Sequence, residues 1–260
     1  MLKRVIVGAA VVVAALAAAG PAAAAGAAGL PAAQMTGGDI PPAIPSLVKT
    51  RLKRVERALD RLTDDVNEDD AAHAAKAGKV VRRQLASAWR GAKYYIKNPP
   101  PAPAEDAGAR IAGGGSGQVI ADPVMTAMAV FDEFHNVTGT VMELTDGAGA
   151  PVLDALSRTL NLSLDRRDQA IQDVHELAPP VAEDAGVRAE ASGDGEAATF
   201  DMAMPGLTLF LDDELQQIDA LQSDAADLPP GGKRILTKAR AQIAATKAQV
   251  NALWPPVTED

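Results

Sequence analysis

With 260 residues, 34 acidic against 25 basic side chains and a net charge of −9, the chain as a whole repels polyanions, which argues against nucleic acid as its general partner. It has no cysteine, which excludes disulfides, thiolate catalysis and cysteine-ligated zinc or iron–sulfur centres. Apolar residues make up 47% of the chain and aromatic ones 3%, so a folded state must rest on a core of Ala, Val and Leu.

The chain opens with Lys3 and Arg4, a 15-residue apolar run from Val5 to Ala19, and then Gly20-Pro21 and a series of Ala-x-Ala sites. This is the layout of a secretory signal peptide over residues 1–27. The run is shorter than the roughly 20 residues a spanning helix needs. A Pro-, Gly- and Ala-rich linker is expected over 28–45. The abundance of Ala, Val, Asp and Arg is typical of a GC-rich bacterial coding sequence, which makes the expected destination the bacterial envelope or exterior.

Residues 46–100 predict the first αα-hairpin. Leu52, Val55, Leu59, Leu62 and Val66 recur at spacings of three and four, which places them on one helix face. The segment "NEDD" (67–70) supplies a turn and an N-cap, and a second stripe follows at Val81, Leu85, Ala88, Trp89, Ala92 and Ile96. A linker is expected over 101–122, with a weaker β-hairpin signal in "ARIAGGGSGQVIA" (109–121) as the alternative to a flexible Gly/Ser stretch. A second hairpin over 123–180 carries Met128, Phe131, Phe134, Thr138 and Val141, a break at "DGAGAP" (146–151), then Leu153, Leu156, Leu160, Leu164, Ile171 and Val174. Residues 181–204 are expected to be a linker or a β-hairpin, because turn residues in "VRAEASGDGEAATFDM" (187–202) separate two short alternating runs. A third hairpin over 205–256 has Leu207, Leu211, Leu215, Ile218 and Leu221, a turn at "LPPGGK" (228–233), and Leu236, Ala239, Ile243, Val250 and Leu253. Residues 257–260 form a tail.

The three units echo one another. Ala104–Arg110 and Ala182–Arg188 lie 78 residues apart and agree at six of seven positions. Prolines open the units at Pro45, Pro123 and Pro205, and proline pairs close them at Pro99, Pro179 and Pro255. Proline is tolerated at a helix start and stops a helix elsewhere. Self-similarity at a fixed period marks a repeat array. The fold class expected is all-α, three repeated antiparallel hairpins, arranged as a six-helix bundle or a short array.

Charge is divided unevenly among the units. Residues 46–97 hold 13 Lys/Arg against 7 Asp/Glu, residues 119–180 hold 3 against 10, and residues 181–260 hold 6 against 14. The basic first hairpin has two readings. Its cations either pair with the acidic hairpins and water, or form a face for an anionic envelope polymer, a membrane surface or another envelope protein. The candidate anion-binding residues are Arg51, Lys53, Arg54, Arg82, Arg83, Arg90 and Lys93, with Trp89 and Tyr95 as aromatic contacts.

Catalytic chemistry finds little support. The stretch "GGGSG" (113–117) lacks the following Gly-Lys-Ser/Thr of a phosphate loop, and no Gly-x-Ser-x-Gly elbow occurs. Asp132 precedes His135 by three residues, a spacing that shares a helix face and, with Glu in place of Asp, serves di-metal helical bundles. A turn near residue 148 would set His135 opposite Asn161 rather than His175. No metal or cofactor is expected, and the reading is of a non-enzymatic binding or scaffold protein. The alternative is a metal- or cofactor-binding bundle using Asp132, His135 and His175.

Overall fold

A computed structural model describes residues 44–99, 122–178, 199–223 and 228–255. The signal-peptide segment, the inter-unit linkers and both Ala-Glu-Asp-Ala-Gly echoes lie outside the described residues. So do Pro179 and residues 187–198 of the expected β-hairpin. Among the described residues the protein is all-helical, with no strand.

The first hairpin is α1 (Ser46–Asn67) and α2 (Ala71–Lys97). The whole predicted stripe of α1 is buried, Leu52, Val55, Leu59, Leu62 and Val66, and Val48 extends it by one turn towards the N-terminus. Asp69 turns the chain with a φ of 56°, and Asp70 caps α2 by accepting the backbone N–H of His73 at 3.0 Å. The second hairpin is α3 (Pro123–Leu144) and α4 (Ala150–Leu177). Asp122 caps α3 through the N–H groups of Val124 and Met125 at 2.7 and 3.1 Å, with Pro123 in the first turn, where its missing N–H costs nothing. Gly147, with a φ of 81°, takes the left-handed conformation in the turn to α4.

The third hairpin departs from expectation at both helix starts. It begins not at Pro205 but with one helical turn, α5 (Phe200–Ala203), and a 3₁₀ turn (Met204–Gly206) that lead into α6 (Leu207–Ser223). Phe200–Met202 are therefore helical rather than the end of a β-hairpin. The spacing of Phe200, Ala203 and Met204 explains this, because it turns Ala203 and Met204 into the core. The second correction concerns "LPPGGK". α7 (Pro230–Leu253) already includes Gly231, Gly232 and Lys233. A Cβ on Gly231 would fall 2.8 Å from Leu153 Cδ1, and one on Gly232 would fall 3.1 Å from the Thr145 carbonyl. These glycines let the first turn of α7 press against the α3–α4 turn, which outweighs their poor helix propensity.

The hairpins stack in two layers. α1 packs on α3 and α3 on α6, while α2 packs on α4 and α4 on α7, and the first and third hairpins make at most glancing contact. The arrangement is thus a short linear stack with the second hairpin at its centre. Pairs that meet across the stack are separated in sequence by 84 (Trp89–Asp173), 79 (His135–Glu214) and 78 residues (Asp168–Thr246). These intervals approach the 78-residue spacing of the echoed segments. Helices about one unit apart therefore run side by side and parallel. Within the third hairpin the rungs Asp212–Lys247, Asp219–Arg240 and Gln222–Thr237 run antiparallel. The core is aliphatic, with Trp89, Phe131 and Phe134 clustered where α2, α3 and α4 meet. No described helix is long and apolar enough to cross a membrane.

Candidate anion-binding groove

The α2–α4 contact builds a groove because small residues bring the two helices close. Gly78 sits directly against Thr159, so a side chain there would collide with the threonine hydroxyl. Further along, Trp89 is buried (3% exposed) and donates its indole N–H to Asp173 at 2.7 Å. Asp173 also accepts the Lys93 ammonium at 2.6 Å. Burial would raise the Asp173 pKa, but the hydrogen bonds from Lys93 and Trp89 and the Lys93 charge outweigh it and hold the carboxyl below its usual range. This cluster closes one end of the groove.

Between these points the groove opens into two adjoining spaces of about 470 and 450 Å³. Arg83 and Ala86 from α2, with Arg166 and Gln169 from α4, line both and form the waist. Arg82 and Leu162 flank the first space, and Arg90 and Lys93 the second. Leu85, Ala86 and Leu162 give the lining of the first space an apolar part. Ser163, 1% exposed, lines the first space, and its hydroxyl has no hydrogen-bond partner among the described residues.

The charges are arranged unexpectedly. α4 belongs to an acidic hairpin, yet it turns Arg166 towards α2. Arg82 lies near Arg158, also of α4, and its pKa is lowered first by burial and then by that second guanidinium. Arg82, Arg83, Arg90 and Arg166 form no ion pair or hydrogen bond among the described residues. Of the two carboxylates that line the groove, Asp173 is taken by Lys93 and Trp89, and Asp165 accepts from Gln242 of α7 at 2.9 Å. A guanidinium is always cationic and presents a planar fork of donors, so these four side chains can bind oxyanions from both walls.

The candidate residues therefore divide. Arg82, Arg83, Arg90 and Lys93 line the groove, and Lys93 is engaged in the fold. Arg51 donates to Gln84 at 3.4 Å, while Lys53 and Arg54 are exposed on α1, and none of the three lines the groove. Trp89 also lines the second space, but it is 3% exposed, its ring packs on Phe131 at 5.4 Å and its N–H is bound, so it offers the groove only part of a buried ring. Tyr95 lies edge-to-face with the exposed Tyr94, away from the groove lining. Arg166 escaped the sequence reading because it stands in a net-acidic unit, and only the helix packing reveals which way it faces.

The metal candidates are not assembled. His135 shares a cavity and the Glu214 carboxylate with Arg167, while Asn161, expected opposite it, bonds Ser157 of its own helix. His175 lies two helical turns beyond Arg167 and meets Trp254 edge-on at 5.7 Å. Asp132 makes no hydrogen bond to His135, and its pKa is raised by burial. His135 instead faces α6, with Nδ1 3.2 Å from Glu214, Nε2 3.4 Å from Asp213, and its ring stacked on Phe210. Among the described residues no group of three His, Asp or Glu side chains is placed to hold a metal ion. The chain matches no protein-family model, no curated protein and no solved structure.

Proposed function

We propose that the chain is an exported, non-enzymatic binding or scaffold protein of a bacterial envelope or exterior, and that it holds an anionic partner in the α2–α4 groove. The observation that carries this reading is the convergence of Arg82, Arg83, Arg90 and Arg166 from two different hairpins, four cations against the two lining carboxylates, of which Asp173 is paired with Lys93 and Asp165 bonds the neutral Gln242 amide. Cations gathered only to hold the stack together would be expected to meet carboxylates, as Lys93 does. The signal-peptide layout of residues 1–27 supports the location. His135 and His175 have separate neighbours, which speaks against a metal-binding bundle that uses both.

Fractionation of cells expressing the protein tests this. The expected result is export, retention with the envelope at low salt, and release as salt screens the groove. An Arg83→Glu/Arg166→Glu variant should be exported but found in the soluble fraction. Retention of that variant at the wild-type level would defeat the reading.

A further inference from the structure

The reading of the groove as an anion site leaves open what kind of anion fits it, and the inference that follows rests on that reading. Four features bear on the ligand. The first is length. From Arg82 to Lys93 the groove follows α2 for eleven residues, or roughly 16 Å at the rise of an α-helix. A single small anion cannot touch both ends. The second is the opposed walls. Arg83 reaches the waist from α2 and Arg166 from α4. An oxyanion with two charged oxygens can accept from one wall on each, as Asp173 does from Trp89 and Lys93, so the opposed walls call for an oxyanion held between them, and the choice of phosphate rests on the other features.

The third is the apolar part of the lining. Leu85, Ala86 and Leu162 line the first space together with Arg82, Arg83 and Arg166, and Leu162 is half exposed. An unbroken run of phosphates would set charge against this apolar strip, while carbon links between phosphates would lie on it. The Gln169 amide at the waist adds a neutral donor and acceptor for polar groups on such links. The fourth is the lack of a stacking surface. Trp89 lines the second space but is only 3% exposed with its N–H bound, and neither Tyr94 nor Tyr95 lines the groove. Bases would find none of the aromatic platforms that single-stranded nucleic acid sites use.

We infer that the α2–α4 groove binds a linear phosphodiester polymer with short aliphatic polyol links, its phosphates held at the Arg83–Arg166 waist and at Arg90. Such a chain satisfies both walls, covers the apolar lining and spans both spaces. Its repeating phosphates also raise the effective concentration of each contact after the first.

The test is binding of the purified protein to fluorescently labelled poly(glycerol phosphate) at low salt. Binding should weaken as salt rises. Arg83→Glu and Arg166→Glu should each weaken it by about tenfold or more, and removing one arginine should reduce the salt slope by about 1. Arg57→Glu, on the exposed surface of α1, serves as the control and should bind like the parent protein. Glycerol 1-phosphate at matched phosphate concentration should not compete. Equal competition by that monomer would overturn the polymer assignment while leaving an anion site. Equal or tighter binding of polyglutamate, long-chain polyphosphate or oligodeoxythymidylate would likewise overturn the phosphodiester–polyol assignment alone. Circular dichroism melts keep the variants interpretable, and a folded Arg166→Glu that binds normally would refute the site. If no polyanion binds at low salt, both the inference and the anion-groove reading fall.

Discussion

Arg167 of α4 and Glu214 of α6 form a fully desolvated ion pair, with Arg167 Nη1 2.7 Å from each carboxylate oxygen and the two side chains 4% and 0% exposed. Both occupy core positions on otherwise apolar stripes. Arg167 stands between Leu164 and Ile171, and Glu214 between Leu211 and Ile218. His135 shares Glu214, so α3, α4 and α6 meet at one carboxylate. The Nε and Nη2 atoms of Arg167 have no hydrogen-bond partner among the described residues. The pair is thus incompletely satisfied, which is the condition under which a buried ion pair contributes least to net stability.

That arrangement predicts an asymmetry between single and double substitutions. Glu214→Ala should cost about 3–5 kcal/mol, because it strands the buried Arg167 charge, and Arg167→Ala should cost less, because His135 still faces Glu214. Arg167→Met combined with Glu214→Leu should cost far less, or stabilise. Urea denaturation of the three variants checks this. Additive losses in the double variant would show that the pair contributes more than hydrophobic replacement can.

Stability should fall as pH rises from weakly acidic to weakly alkaline. Burial, then the nearby Glu56 and Asp132, push the Glu133 carboxyl up to about 8, from an ordinary value of 4.5. The folded state therefore binds a proton that the unfolded chain releases, and the stability this provides is lost as pH climbs from about 4.5 through about 8. His135 acts in the same direction. Burial disfavours its charge, but Glu214, Asp213 and Asp132 outweigh that and raise its pKa above the ordinary 6.5, so its contribution is present below 6.5 and fades above. Glu133→Gln should flatten the profile between pH 5 and pH 8 relative to the parent, as read from melting temperature. An unchanged slope would show that Glu133 is ionised in the folded protein.

The close approach of α2 and α4 makes Gly78 a sensitive position. Gly78→Ala should cost about 1–3 kcal/mol in spite of alanine's better helix propensity, because the new Cβ collides with the Thr159 hydroxyl. Thr159 uses that hydroxyl to bond the Ala155 carbonyl within its own helix, so truncating it frees space without stranding a partner from another element. The double variant Gly78→Ala/Thr159→Ala should recover much of the loss. Chemical denaturation of both gives the coupling, and no recovery would mean that the helices are held apart elsewhere.

The helices of this fold were readable because the apolar residues repeat every three or four positions, and Leu52 through Val66 are buried as that pattern requires. The caps were readable where a side chain makes them, as at Asp70. Two features were missed for the same physical reason. Gly231 and Gly232 look like a turn until Leu153 and the Thr145 carbonyl are seen beside them. Phe200–Met202 look like a strand until Ala203 and Met204 are placed in the core. In each case tertiary contact overrode a local signal. The Arg167–Glu214 pair was legible in principle, since opposite charges at core positions of two stripes mark a buried partnership. The groove was only half legible. The basic half came from α2, but unit-wide net charge concealed Arg166, whose neighbour Arg167 points into the core about 100° away around the same helix.

Cations that hold the stack together should respond to substitution differently from those left free. Lys93 and Trp89 converge on Asp173, so Asp173→Ala should lower stability by about 1–3 kcal/mol by leaving a buried indole N–H unpaired. The groove arginines should behave in the opposite way. Arg82 lies near Arg158, and Arg83 shares the waist with Arg166, with no carboxylate bonded to the waist pair among the described residues. Like charges gathered on one face repel, so Arg166→Glu should leave the melting temperature unchanged or raise it slightly, by an amount within the roughly 0.5 kcal/mol of ordinary surface changes. Added salt should narrow any gain, because the repulsion is screened. If Arg166→Glu instead destabilised the protein as much as Asp173→Ala, the arginine would belong to the scaffold's own ion pairing, and the groove would lose its claim to be a site kept open for an anion.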